Sequence, residues 1–183
     1  MSRALVERAQ QGDRDAYEHL ARDAARRLFL VASRILRDAD AAEDAVQQTL
    51  VAVWRDLRSL RDPDRFDAWT LRIVVRYCRS EARRYRRAGV TIVDLSETMA
   101  AARDDVGAVA IREELGRAFD ALSPDHRTVV VLHHLIGLPL AEIAEIMDVP
   151  YGTVGSRLHH ALRVMRASIE ADNRLAATEG QPA

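Results

Sequence analysis

Residues 140–165 read LAEIAEIMDVPYGTVGSRLHHALRVM. A short apolar pattern at Leu140, Ile143, Ala144 and Met147 breaks at Asp148-Val149-Pro150, and a longer one begins at Tyr151. On a wheel of 100° per residue, Val154, Leu158, Ala161, Leu162 and Met165 fall within about a quarter of the circumference and form the inward face. The opposite side presents Gly152, Ser156, His159, His160 and Arg163, flanked by Arg157 and Arg166, and no acid occurs between Val149 and Ile169. A short helix, a tight turn and a longer helix form a helix-turn-helix, and the acid-free, basic face of the second helix suits the DNA major groove. Small residues at its start, Gly152, Thr153, Gly155 and Ser156, allow a close approach to a phosphate backbone.

Working back from this motif, Ser123-Pro124 caps a helix over Asp125–Ile136 that stops at Gly137, and another helix lies near Ile111–Ala121. Residues 89–110 carry glycines, poor periodicity and an excess of acids, and read as a linker. Residues 1–88 form a separate helical unit. Tyr17, Leu20, Ala24, Leu28, Ala32, Ile35 and Leu36 space out one amphipathic helix. Asp40 with Glu43 reads as a capping box for a second helix, through Val46, Leu50, Val53 and Leu57. Asp62-Pro63 opens a third, which runs to about Arg87. Beyond Ala171, residues 172–183 lack an apolar face and read as a disordered tail.

That third helix carries the strongest charge pattern in the chain. Arg72, Arg76, Arg79, Arg83, Arg86 and Arg87 lie within about 100° of one another, over a length of roughly 22 Å. Phe66, Leu71, Ile73, Val74, Tyr77 and Cys78 take the remaining surface toward a core. A solvated face ordinarily mixes signs, because like charges on one helix side repel. The stripe therefore reads as a track for phosphates, with Trp69 at its edge placed to stack on an unpaired base.

Composition sets the outer bounds. The 183 residues hold 48% hydrophobic and 30% charged residues, with only 8 Gly and 5 Pro, as a mostly helical globular chain does. The net charge of −1 conceals two opposed halves. Residues 1–88 hold 19 Arg against 14 acids, a balance of +5, and residues 89–183 hold 8 Arg against 14 acids, a balance of −6. The single cysteine, Cys78, excludes an internal disulfide and a multi-thiolate metal site. The adjacent histidines at 133–134 and 159–160 diverge by 100° on a helix and cannot grip one ion together. There is no signal-peptide pattern at the N-terminus and no stretch near the ~20 apolar residues that span a bilayer, so the expectation is a cytoplasmic protein without membrane insertion. Neither a glycine-rich phosphate loop nor a nucleophile elbow occurs, so neither enzyme activity nor a metal or cofactor is expected.

The order of these parts resembles that of extracytoplasmic-function RNA polymerase sigma factors. The matching stretches are Gly12-Asp13-Arg14-Asp15-Ala16-Tyr17, Ala42 to Leu50 with Val53-Trp54, and Phe66-Asp67-Ala68-Trp69 with Arg72-Ile73 and Arg83-Arg84. In the second half they are Ala121-Leu122-Ser123, Arg127, Glu142 to Glu145, Gly152-Thr153-Val154 and Ser156-Arg157-Leu158. The resemblance implies an all-α protein of two small helical domains joined by a flexible linker. Residues 1–88 would be a region 2-like domain, 89–110 the linker and 111–171 a region 4-like helix-turn-helix domain. It implies that Asp44, Gln47 and Gln48 contact core RNA polymerase, and that Trp69, Arg72, Arg76, Arg79 and Arg83 bind and melt the promoter −10 element. The loop from Leu60 to Asp64 would receive a flipped base. Thr153, Ser156, Arg157, His160 and Arg163 would read the −35 element. Core polymerase and promoter DNA are the implied partners, and an anti-sigma protein is the family's habitual third. Arg76 and Ser80 stand where the family commonly has Asn and Asp, Gly155 where a basic residue is frequent, and Gln48 for a frequent Glu. A stand-alone helix-turn-helix regulator is the alternative, and it leaves the arginine stripe of the first unit unexplained.

Overall fold

The computed structural model describes residues 2–88 and 114–179, and among them every regular element is helical. The linker expected over 89–110 lies outside the described residues. The elements are α1 (Arg3–Gln10), α2 (Arg14–Leu36), α3 (Ala39–Asp56), α4 (Phe66–Ala88), α5 (114–120), α6 (Pro124–Val130), α7 (Leu140–Met147) and α8 (Tyr151–Glu179).

Helix α2 is the axis of the first domain. Ala16, Leu20, Ala24, Leu28, Val31, Ala32, Ile35 and Leu36 recur every three or four residues, and all are buried. Helices α1, α3 and α4 pack around it. Fully burying Leu20, Leu28, Ile35 or Leu36 contributes about 1.5–3 kcal/mol each. The expected inward residues of α3 and α4 are buried too, except that Leu50 and Tyr77 are half-buried. Alanines at 41, 42, 45 and 52 let α3 approach its neighbours closely.

The connections show why the chain turns where it does. Asp13 caps α2 by accepting from the Ala16 N–H at 3.0 Å, and that bond, reinforced by Arg8, holds its carboxyl below the usual range. Helix α2 ends at Arg37, whose φ of +60° places it in the left-handed region, its N–H donating back to Ser33 O. The cap of α3 is Asp38, which accepts from the Ala41 N–H at 2.9 Å. The cap therefore lies two residues before the expected capping box at Asp40 and Glu43, with Asp40 already in the first helical turn. Short 3₁₀ turns at Leu57–Ser59 and Pro63–Arg65 then lead into α4. Asp62 caps the second of these by accepting from the Asp64 N–H at 3.1 Å. Helix α1 braces this loop, since the Gln10 amide donates to Leu57 O and Leu60 O at 3.0 and 2.8 Å.

In the second domain, Ser123 caps α6, which widens into a π-helical segment at Val131–Leu135 before Gly137 turns the chain at φ +82°. Asp148, at φ +54°, forms the corner between α7 and α8. Helix α8 is longer than the sequence suggested. It continues through the expected tail to Glu179, and Arg117 of α5 holds Asp172 at 2.9 Å. Residues 180–183 lie outside the described ones. Leu162, expected inward, is exposed. It stands at the edge of the apolar sector, where a small rotation of the helix takes it out of contact.

The two domains dock. Helix α4 lies against α7, and α2 against α6. Val129, Leu132, Ile143 and Met147 join the same apolar cluster as Leu28, Ile35 and Leu71. Replacing Asp38 with Ala should lower unfolding free energy by about 1 kcal/mol, as loss of an N-cap does. Asp40→Ala should change it by less than about 0.5 kcal/mol. Urea denaturation of both variants checks this, and the reverse order would restore the capping box.

Candidate nucleic-acid interface

Helix α4 presents its arginines as its periodicity requires. Arg72, Arg76, Arg83, Arg86 and Arg87 are exposed on one side. Phe66, Leu71, Val74, Val75 and Cys78 are buried on the other. Burial pushes the Cys78 thiol up to about 12, which leaves it an inert core residue. Trp69 is half-buried at the border, its ring 6.2 Å from that of Phe66. It shares a cleft of about 470 Å³ with Arg72, Arg76, Arg79 and Arg83, closed on the far side by Ile146, Met147 and Asp148 of the second domain.

Arg79 departs from the stripe. Its Nε donates to Asp125 Oδ1 at 3.2 Å and its Nη1 to the Met147 carbonyl at 2.7 Å. The second contact satisfies one of the carbonyls left open at the C-terminus of α7, where the helix dipole favours a cation.

The expected reading face of α8 divides in two. Ser156 and Arg163 are exposed and Thr153 is half-buried. Arg157 turns toward α6 and pairs with Asp125 Oδ2 at 2.9 Å, with its Nη1 buried and unpartnered. His160 also turns inward, its ring 4.7 Å from that of His126 and its Nδ1 3.0 Å from Arg163 Nη2. Gly155 faces open space, so packing does not require a glycine there. Asp125 is a residue that the sequence reading missed. Its neighbours in sequence mark it only as a first-turn acid, and its two arginine partners lie 46 and 32 positions away.

Asp44, Gln47 and Gln48 stand together on the outer side of α3, all exposed. The same side continues into Val51 and Trp54, which are 66% and 53% exposed and give it an apolar extension. Tyr17 steadies it by donating to Leu50 O at 2.8 Å and meeting the Trp54 ring edge-on at 4.5 Å. Val51 was also missed, although its spacing of four from Gln47 puts it on that face. No group of side chains suited to hold a metal ion occurs among the described residues, nor is any helix there long and apolar enough to cross a membrane.

Family models for sigma-70 region 2 and sigma-70 region 4 match residues 20–88 and 112–165. Across 185 aligned positions the chain is 31% identical to the ECF RNA polymerase sigma-E factor of Haemophilus influenzae, covering 91% of this chain and 94% of that one. The chain belongs to the ECF sigma factors of RNA polymerase. The Escherichia coli sigma-E factor is 32% identical over 169 positions, covering 86% of this chain and 88% of its own. Among solved structures, CnrH in complex with the cytosolic domain of CnrY is similar at TM-score 0.66 and 27% identity, covering 93% of this chain and 97% of that one. RpoE of Bartonella quintana, solved with the anti-sigma factor NepR, shares the fold at TM-score 0.68 and 23% identity, covering 85% and 98%. In this sigma factor, α4 ends the region 2 match and α8 the region 4 match.

The paired imidazoles have a pH consequence. Burial, then the charges of His160 and Arg157, depress the His126 pKa below its ordinary 6.5, with Asp125 opposing. A depressed folded-state pKa stabilises the fold above pH 6.5, and that contribution is lost as pH falls below it. The melting temperature should therefore drop more between about pH 7.5 and about pH 5.5 in the natural chain than in His126→Gln. Calorimetry at the two values checks this, and equal drops would remove His126 as the cause.

Proposed function

We propose that this sigma factor works as the promoter-specificity subunit of RNA polymerase, acting in the cytoplasm and having no active site of its own. The α4 surface carries the reading: five exposed arginines share one side of a helix with an aromatic ring at the border, while the opposite side is sealed in the core. Arg72, Arg76, Arg79 and Arg83 would track the phosphates of the non-template strand. Trp69 would stack on a −10 base as the strands separate. The loop from Leu60 to Asp64 would receive an extruded base, and α1 gives it a fixed shape through Gln10 and through Arg3, which meets Asp64 at 2.6 Å.

Ser156 and Arg163, with Thr153 at the start of α8, would read the −35 element in the major groove. Arg157 and His160 would join them once free of α6. Asp44, Gln47 and Gln48 would dock on core RNA polymerase, with Val51 and Trp54 supplying the apolar part of that contact. An anti-sigma protein would be the third partner, competing for these surfaces. A stand-alone regulator has no use for either the α3 face or the α4 stripe.

Two changes test the assignment. Asp44→Ala with Gln47→Ala removes exposed groups, so stability should shift by less than about 0.5 kcal/mol. Capture of core polymerase, and promoter-specific transcription with it, should nevertheless be lost, as read by pull-down and in vitro transcription with circular dichroism as the folding control. Normal capture and output would sink the assignment of this face. Trp69→Ala should still form a closed promoter complex and fail to open it, since a stacked base is worth about 1–3 kcal/mol. Permanganate reactivity of the −10 region reports strand opening, and unchanged reactivity would make Trp69 a packing residue only.

A further inference from the structure

Asp125 lies between the two proposed DNA surfaces, and each of its carboxylate oxygens is taken by an arginine from a different one. Oδ1 receives Arg79 of α4 at 3.2 Å and Oδ2 receives Arg157 of α8 at 2.9 Å. We propose that Asp125 is an internal stand-in for a DNA phosphate: in the unbound chain its carboxylate occupies one arginine from each surface and clamps the two domains closed. This rests on the reading that Arg79 and Arg157 face DNA.

A carboxylate and a phosphate offer a guanidinium the same thing, an anionic group with two acceptor oxygens at matching spacing. An arginine nitrogen engaged by one is withheld from the other. The clamp is supported at its base, because Arg79 also holds the Met147 carbonyl and so ties α4 to the end of α7. Two further pairs cross the same boundary in the same sense, with Arg37 on Asp120 at 2.6 Å and Arg65 on Glu145 at 3.0 Å. In each, the arginine comes from the first domain and the acid from the second. Arg72, Arg76 and Arg83 remain exposed in the closed arrangement. They leave a positive surface on which a strand can land before Asp125 is displaced.

A closed fraction lowers apparent affinity in proportion to the open population. Removing the charge of Asp125 while keeping its shape should therefore strengthen DNA binding by the free chain. The experiment uses the full chain and Asp125→Asn, a fluorescein-labelled single-stranded DNA oligonucleotide as probe, and small-angle scattering for compactness. Asp125→Asn should bind the oligonucleotide at least about threefold tighter at low salt and show a larger radius of gyration. If circular dichroism shows that Asp125→Asn is not folded, Glu145→Arg opens the same boundary from α7 and should shift both readouts in the same direction. Equal affinity and equal radius in a folded variant and the natural chain would overturn the clamp. Core-polymerase capture by the natural chain, run in parallel, answers the separate question: its failure would overturn the sigma-factor reading on which the clamp rests.

Discussion

Like charge concentrated on one side of one helix is the constraint from which the rest of the structure follows. Helix α4 must bury Phe66, Leu71, Val74 and Cys78, so its arginines are forced onto the opposite side, where they repel one another. Bringing negative charge to that surface relieves the repulsion beyond what solvent and salt screening do. Within the chain, the second domain does this with Asp125, the Met147 carbonyl and the adjacent Asp148. In a promoter complex, the phosphates of the separated strand would do the same. These counter-charges act with the shared apolar cluster in docking the domains, and the same need for a counter-charge underlies the proposed affinity of the surface for DNA.

The pairs that join arginines of the first domain to acids of the second give part of the opposed charge of the two halves, +5 and −6 by sequence, a structural meaning. Asp120 shows the pattern at a second point. It pairs with Arg37 and faces Arg127, whose pKa burial and the nearby Arg37 hold down to about 10 while Asp120 opposes the fall. The apolar contact between α4 and α7 then completes the interface.

Much of this was legible in the sequence because it depends on spacing alone. The amphipathic runs of α2, α3, α4 and α8, the turn at Asp148-Val149-Pro150 and the Ser123 cap all follow from local pattern. What the sequence could not reveal depended on contacts between distant segments. Asp38 and Asp40 are equivalent as local signals, and the cap goes to Asp38 because the chain leaves α2 through a left-handed Arg37. The helical state of residues 172–179 draws on Asp172 meeting Arg117, 55 positions earlier. The acid-free surface of α8 was correctly read along its own length. Asp125 and His126 then enter it from another helix, which no wheel can show.

The ion pairs supply only part of the strength of the closed state, because Val129, Leu132, Ile143 and Met147 are buried in the same apolar cluster as Leu28, Ile35 and Leu71. Each boundary ion pair is partly exposed, and pairs of that kind contribute about 0.2–1 kcal/mol, so the three together supply at most about 3 kcal/mol. Shifting a two-state equilibrium from nearly all closed to nearly all open takes about 5.5 kcal/mol of differential binding. In the proposed promoter complex, several phosphate contacts along Arg72, Arg76, Arg79 and Arg83, with polymerase holding α3, would exceed that figure, whereas one or two stray phosphates would not. An interface much stronger than this would subtract its excess from promoter affinity. A much weaker one would leave the arginines free to bind any polyanion. The partly exposed geometry of Asp125 and its partners keeps the electrostatic share of that interface small, so that in the proposed clamp the arginine surface opens chiefly to a ligand that engages many contacts at once.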